Sequence, residues 1–443
     1  MIDRKPAPQT ALVLSPQYPG TDANRAQARL EEAIGLAEAL DLVTTEARIE
    51  PLRRVEASGF FGTGKIEQIA ERVKEAEIAV VIIDAALSPI QQRNLEKKLQ
   101  AKVIDRTGLI LEIFGLRAQT REGRLQVELA RLAYERSRLV RTWTHLERQR
   151  GGRGFLAGPG ETQIETDRRI LADKMAKLRR ELDEVKRTRA LHRKKRQTAP
   201  WPTVALVGYT NAGKSTLFNM LSDAQVLAKD MPFATLDPTV RGVKLPSGRR
   251  VLMSDTVGFI TDLPTELIAA FRATLEEVIE ADVLIHVRDM ADPDHEGRKA
   301  DVESVLAALG AGSEADQHVI EAWNKADQLS AEDHEELVWR AKLPKRENGP
   351  VSIVTSAVTG AGVETLLEQV ELALSVDDVA LHLEFGPSDA EALAFIHRHG
   401  AVISETADPE TGIVSVHVRL SEADAGRFHQ RYGLQEDIET LAD

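Results

Sequence analysis

The apolar positions of this chain fall into short unbroken runs and longer stretches spaced by three and four, and the two kinds alternate over most of its length. Runs at Ala11–Leu14, Ala79–Ile83 and Lys102–Ile104 predict buried strands. Helical spacing over residues 22–42, 65–77 and 90–100 predicts helices between them, the pattern of an α/β domain. From Leu125 the strands stop. Leu125, Leu129 and Leu132 start a helix that continues to about Arg150. A second runs from Ile164 to about Arg196, with Ile170, Leu171, Met175, Leu178, Leu182 and Val185 on one stripe. Two such helices predict an antiparallel hairpin. Its tip, Gly151 to Glu165, is too rich in glycine for a helix. Pro200-Trp201-Pro202 ends the second helix, because proline cannot continue it.

Strand-like runs then return at Thr203–Val207, Val251–Met253, Val319–Trp323 and Val351–Val354, with a helix starting at Ser215. The tail reads strand (Val379–Phe385), helix (Ser388–His399), strand (Ala401–Thr406), a turn at residues 408–412, strand (Ile413–Leu420), and a helix from Ser421. The expected fold class is multidomain α/β. An N-terminal α/β domain spans residues 1–115, a helical hairpin 116–199, a second α/β domain 200–375 and a small α/β module 376–443.

Composition excludes some classes. No cysteine occurs among the 443 residues, which rules out disulfides and thiolate metal sites. The eleven histidines show no metal-ligand spacing, and His397-Arg398-His399 reads as helix surface. No apolar run reaches 18 residues and the first residues lack a signal core, so no membrane span and a cytoplasmic location are expected. The net charge of −13 is uneven: residues 117–197 hold 23 of the 57 basic and 11 of the 70 acidic residues, net +12 against −25 for the remainder. An acidic chain with one basic arm is suited to attach to a polyanion through that arm. At the tip, Arg153 would meet phosphate and Phe155, beside Leu156, could stack on a base; the alternative is a passive turn.

Residues Gly208-Tyr209-Thr210-Asn211-Ala212-Gly213-Lys214-Ser215 form a complete Gly-x-x-x-x-Gly-Lys-Ser loop, placed between a strand and a helix that continues with Thr216. That context aims backbone N–H groups and a helix N-terminus at a phosphate chain. Lys214 can reach the β- and γ-phosphates and the Ser215 hydroxyl can bind Mg²⁺. Asn324-Lys325-Ala326-Asp327 lies about 110 residues later and resembles the guanine-reading motif of small-G-protein-like GTPases. The Asp327 carboxylate can accept two parallel hydrogen bonds from guanine, a donor pair that adenine lacks.

Asp255-Thr256-Val257-Gly258 ends a strand and resembles the Asp-x-x-Gly motif, with Asp255 on Mg²⁺ through water and the Gly258 N–H on the γ-phosphate. Phe233-Ala234-Thr235-Leu236-Asp237 resembles switch I, with Thr235 as the second Mg²⁺-linked hydroxyl and Thr239 as its competitor. Ser356-Ala357-Val358 resembles the loop that backs the guanine. Lys214, Thr235 and Gly258 are the expected catalytic contacts. Phe259 stands where small-G-protein-like enzymes carry a water-orienting Gln, so intrinsic hydrolysis should be slow. Asn211 either helps bind K⁺ or only braces the loop.

A Gly-Gly-x-Gly…Gly-Pro-Gly-Glu-Thr-Gln tip on a basic hairpin, immediately before this GTPase core, is similar to the HflX-type translational GTPases. The resemblance covers residues 1 to about 370, and residues 208–215, 255–258 and 324–327 show no departure from it. It implies binding through the amino-terminal domain and hairpin to the large ribosomal subunit and its rRNA, near the peptidyl-transferase centre. It also implies GTP-dependent dissociation of stalled or idle ribosomes. The family has been linked to ATP use by its first domain, where Gly59-Phe60-Phe61-Gly62-Thr63-Gly64-Lys65-Ile66 mimics a second phosphate loop. The poor strand before that segment favours a helix-entry loop touching RNA. Two functions of different class fit: a ribosome-splitting GTPase, and a GTP-gated RNA-binding switch in ribosome assembly.

Overall fold

A computed structural model describes residues 9–147, 159–196, 201–222, 232–233, 235–236, 238–262, 275–312, 315, 317–343, 349–375, 378–409 and 411–433. The chain divides into two compact units. The first comprises residues 1–189, 229–237 and 260–273, and the second residues 190–228, 238–259 and 274–443.

The first unit opens with β1 (Thr10–Gln17), α1 (Ala23–Glu38), β2 (Val43–Pro51), α2 (Thr63–Glu75), β3 (Val80–Ile83), α3 (Pro89–Leu99), β4 (Lys102–Asp105) and α4 (Arg106–Arg117). The strands form a parallel sheet in the order β2-β1-β3-β4. Its core gathers Leu12, Leu14, Val81, Ile83 and Val103 from the strands with Ile66, Ile69, Val73, Leu95 and Leu99 from the helices. Asp22 starts α1 by accepting the Asn24 and Arg25 N–H groups, and Ser88 with Gln91 forms a reciprocal capping box on α3. Two long helices, α5 (Arg121–Glu147) and α6 (Pro159–Arg196), follow. Residues 159–164, expected in the glycine-rich tip, are helical. Pro159 opens α6, a position that costs no hydrogen bond because the first N–H groups of a helix have no intrahelical partner. The expected RNA contacts Arg153, Phe155 and Leu156 lie outside the described residues.

The second unit carries β5 (Thr203–Val207), α7 (Lys214–Ser222), β6 (Thr239–Lys244), β7 (Arg250–Asp255), β8 (Val283–Asp289), α8 (His295–Leu309), β9 (His318–Asn324), α9 (Ala331–Lys342), β10 (Val351–Val354) and α10 (Val363–Leu374). The sheet order is β10-β9-β8-β5-β7-β6, parallel except for β6 at the edge. Val204, Leu206, Val283, Ile285 and Ile320 are buried in its core, which explains the apolar runs around the first four. The same unit ends with β11 (Asp378–Phe385), α11 (Ala390–His399), β12 (Ala401–Ala407), β13 (Val414–Ser421) and α12 (Glu422–Tyr432). These strands form an antiparallel sheet, β11-β13-β12, whose core includes Ile396 of α11 and Phe428 of α12. No helix among the described residues is long and apolar enough to cross a membrane.

Candidate nucleotide site

β5 sits between β8 and β7, and residues 208–213 leave its carboxyl end to enter α7. In a doubly wound sheet this is where ligands bind. Two glycines of the loop cannot be replaced without conflict. Gly208 has φ +149°, and a Cβ there would lie 2.3 Å from the Val287 carbonyl oxygen. Gly213 has φ +94°, and its Cβ would lie 2.2 Å from Asn324 Nδ2. Only glycine adopts this backbone against these neighbours.

The Lys214 ammonium is buried and donates to the backbone carbonyls of Gly208 (3.1 Å) and Tyr209 (2.7 Å). Burial pushes it down to about 8, with Asp255 opposing. Ser215 Oγ, in the first turn of α7, donates to Asp255 Oδ2 at 2.7 Å. Asp255 itself is fully buried at the end of β7. Thr256 Oγ1 donates to the Leu206 carbonyl at 2.6 Å, which fixes the backbone next to it. Gly258 lies close to the loop: a Cβ there would be 2.9 Å from Thr210 Cα and 3.0 Å from Lys214 Nζ. Phe259 then pairs with the loop as a strand would, its N–H donating to Gly208 (3.1 Å) and its carbonyl accepting from Thr210 N–H (2.8 Å). Its ring is buried, so it offers water no hydrogen bond.

Asn324, at the end of β9, joins two loops. Its Nδ2 donates to the Ala212 carbonyl at 2.9 Å, and its Oδ1 accepts from Ala357 N–H at 2.9 Å. Lys325 has φ +64° and pairs with Asp289 at 2.8 Å. Asp327 is exposed, and Ser356 Oγ donates to its Oδ1 at 2.6 Å. Ala326 is buried and Val358 is exposed. The second unit therefore brings together residues 208–216, 255–258, 324–327 and 356–358.

Phe233, Thr235 and Leu236 are buried and belong to the first unit, where the Phe233 ring meets Phe114 edge-on at 4.6 Å. Ala234 and Asp237 lie outside the described residues. Thr239 is built into β6 as the register partner of Asp255. Asn211 is exposed with φ +62°. In the other loop, Phe60 and Phe61 fill the first unit's core while Lys65 pairs with the buried Glu50 at 2.7 Å. Two site neighbours went unforeseen. Asp289 is signalled only by its register with Asn324, and Arg298, paired with Asp292, stacks 4.7 Å from the Tyr209 ring. Neither has a sequence motif of its own.

A Gly-Lys-Ser loop at the centre of a parallel sheet, an Asp-x-x-Gly motif on the next strand and an Asn-Lys-x-Asp motif two strands away define a P-loop GTPase. Comparison with known proteins agrees along the chain. Residues 27–115 match the family described as GTP-binding GTPase N-terminal, 117–196 the GTP-binding GTPase middle region, 203–325 the 50S ribosome-binding GTPase, and 341–440 the HflX C-terminal domain. The chain is 47% identical over 430 residues to GTPase HflX of Magnetococcus marinus, covering 97% of this chain and 96% of that one. It is 46% identical over 373 residues to GTPase HflX of Escherichia coli, covering 83% and 84%. A GTP-binding protein from Sulfolobus solfataricus, solved with GDP, aligns at a TM-score of 0.44 and 25% identity over 82% of this chain and 98% of that one. The chain belongs to the HflX family of GTPases.

Proposed function

We propose that this GTPase binds the large ribosomal subunit through its hairpin and, with GTP bound, dissociates stalled or idle ribosomes in the cytoplasm. One observation carries the proposal: a hairpin region of net +12 directly precedes a GTPase core matching a family described as 50S ribosome-binding. Phosphate contacts along such an arm draw the chain to rRNA, and Arg153, Phe155 and Leu156 at its tip make the contact that disturbs the ribosome.

At the nucleotide, residues 208–216 cradle the phosphates and Lys214 neutralises them. Asn324 and Asp327 read guanine, with Lys325 and Ala326 between them and Ser356, Ala357 and Val358 behind the base. Ser215 and Thr235 would hold Mg²⁺ directly, and Asp255 through water. The donor set fits a hard cation, since a hydroxyl and a carboxylate oxygen lie 2.7 Å apart at the start of a helix. Bound there, the ion would offset part of the negative charge of the phosphates. Thr256 and Val257 space Asp255 from Gly258, whose N–H meets the γ-phosphate. The buried Phe259 cannot orient water, so turnover is slow until the ribosome supplies or positions further groups.

Sucrose-gradient analysis of purified ribosomes tests this. With a non-hydrolysable GTP analogue, the full chain should convert 70S particles to subunits. Binding to the large subunit without any loss of 70S particles would favour an assembly switch instead.

A further inference from the structure

Two adjacent residues of the first unit grip different segments. Asp105, almost fully buried at the end of β4, accepts at Oδ1 from Gly108 N–H (2.8 Å) and the Tyr134 hydroxyl (2.5 Å). Its Oδ2 accepts from Leu87 N–H (3.1 Å) and Arg138 Nη2 (2.6 Å). Tyr134 and Arg138 lie one turn apart on α5, the first helix of the basic hairpin, and the Arg138 guanidinium stacks 4.0 Å from the Tyr134 ring. The next residue, Arg106, is also buried. Its Nε (3.1 Å) and Nη2 (2.7 Å) both donate to the Thr261 backbone carbonyl. The same guanidinium pairs with Asp84 and with Glu32 (3.1 Å). Arg29 reinforces the cluster, bonding Asp84 at 3.2 Å and Asp262 at 2.9 Å. Thr261 follows Gly258 by three residues in the chain.

From this juxtaposition we infer that Asp105-Arg106 is a rigid joint tying the root of the basic hairpin to the segment behind the Asp-x-x-Gly motif, with Arg106 as a positioning residue for the nucleotide site. A buried guanidinium between two carboxylates has little freedom. Whatever moves it moves the carbonyl it holds, and with it the backbone that presents Gly258. In the other direction, the γ-phosphate draws on Gly258 and pulls on the same carbonyl. Coupling of this kind is reciprocal: if GTP changes the hairpin's affinity for a polyanion, the polyanion changes GTP affinity by the same factor. The hairpin half of the inference rests on the ribosomal function proposed above; the Arg106 half does not.

The test uses the full chain in two arms. The first measures dissociation of fluorescent GDP and of a fluorescent non-hydrolysable GTP analogue without ribosomes. Arg106→Gln should change the ratio of the two affinities about fivefold or more, the lower end of typical site-to-site coupling. Arg106→Lys, which keeps the charge but loses the fork, should recover part of the change. The second arm follows GTP hydrolysis with and without purified large ribosomal subunits. Tyr134→Phe combined with Arg138→Gln should leave unstimulated turnover and co-sedimentation near wild type, while the response to subunits falls about fivefold. A folded Arg106→Gln variant with a wild-type affinity ratio overturns the positioning role. If its melting curve shows it unfolded, Arg106→Lys decides in its place, and an unchanged ratio overturns the role equally. A full subunit response in the Tyr134/Arg138 variant overturns the link to the hairpin. If wild-type protein neither binds nor responds to large subunits, the ribosomal function fails and so does the hairpin half of the inference; the first arm still decides Arg106.

Discussion

Asn324 holds two loops with one amide, so its removal should be felt at both. Asn324→Ala leaves the Ala212 carbonyl and the Ala357 N–H without this partner, each at a cost of about 1–3 kcal/mol if buried and unsatisfied. A fall in thermal stability together with weakened nucleotide binding is the expected outcome; loss of neither would mean the loops are held by other means. Asp327→Asn should instead spare stability, because the side chain is exposed, and change the base that is read. An amide donor suits the extra carbonyl of xanthine, so competition should move from GTP towards xanthosine triphosphate by about 100-fold or more. Unchanged preference in a competition assay would remove Asp327 from the site. Lys214 makes a third case. Below its folded value of about 8 the ammonium is charged in both the folded and the unfolded chain, and the cost of burying it is fully present. As pH rises from about 8 towards 10.5, the folded chain loses the proton first and that cost fades. The nucleotide-free chain should therefore gain stability over that interval. Lys214→Met should be more stable than wild type at neutral pH by about 1–3 kcal/mol, yet hydrolyse no GTP. Denaturant titration beside a phosphate-release assay checks both.

Among the elements, those with strong periodicity were legible. The helical stripe predicted α5 and α6. Apolar runs predicted β1, β3, β5 and β7, because strands buried on both faces select apolar residues; the runs that predicted β4, β9 and β10 each hold one polar residue, Lys102, Glu321 and Ser352. β2 was not foreseen. It is an edge strand of mixed composition, Val43-Thr44-Thr45-Glu46-Ala47-Arg48-Ile49-Glu50-Pro51, and most of it is only half-buried, so neither alternation nor a run marks it. α4 was missed because it starts at Arg106 without a break after β4, and its cap is the strand's own last residue, Asp105. The motif residues were legible for a different reason: phosphate and guanine chemistry constrain residue type and spacing directly. Asp289 and Arg298 are brought in by sheet register and helix packing, which leave no local trace. For the hairpin, replacing residues 151–160 with a short Gly/Ser linker should leave GTP binding intact and ribosome binding partly reduced, while subunit dissociation is lost. Splitting at the wild-type rate would make the tip a passive turn. Binding through the arm should also weaken steeply with salt, since each phosphate contact releases counterions.

For the molecule as a whole, the order of residues along the chain and their grouping in space disagree. Residues 229–237 and 260–273 fall between parts of the GTPase core in sequence but cluster with the first unit. There Pro232 lies beside Gly35, Phe233 meets Phe114, and the Thr261 carbonyl is held by Arg106. A chimera made with a homologue by exchanging residues 1–189 at a single junction would separate these side chains from the surfaces they evolved against. One that moves both short segments together with residues 1–189 would keep them matched, and should melt at a higher temperature than the single-junction chimera. Equal melting temperatures would show that the matching is generic. The unit that can be inherited or transplanted intact is then a mosaic of three stretches of chain, and substitutions fixed in one stretch should be answered by substitutions in the other two.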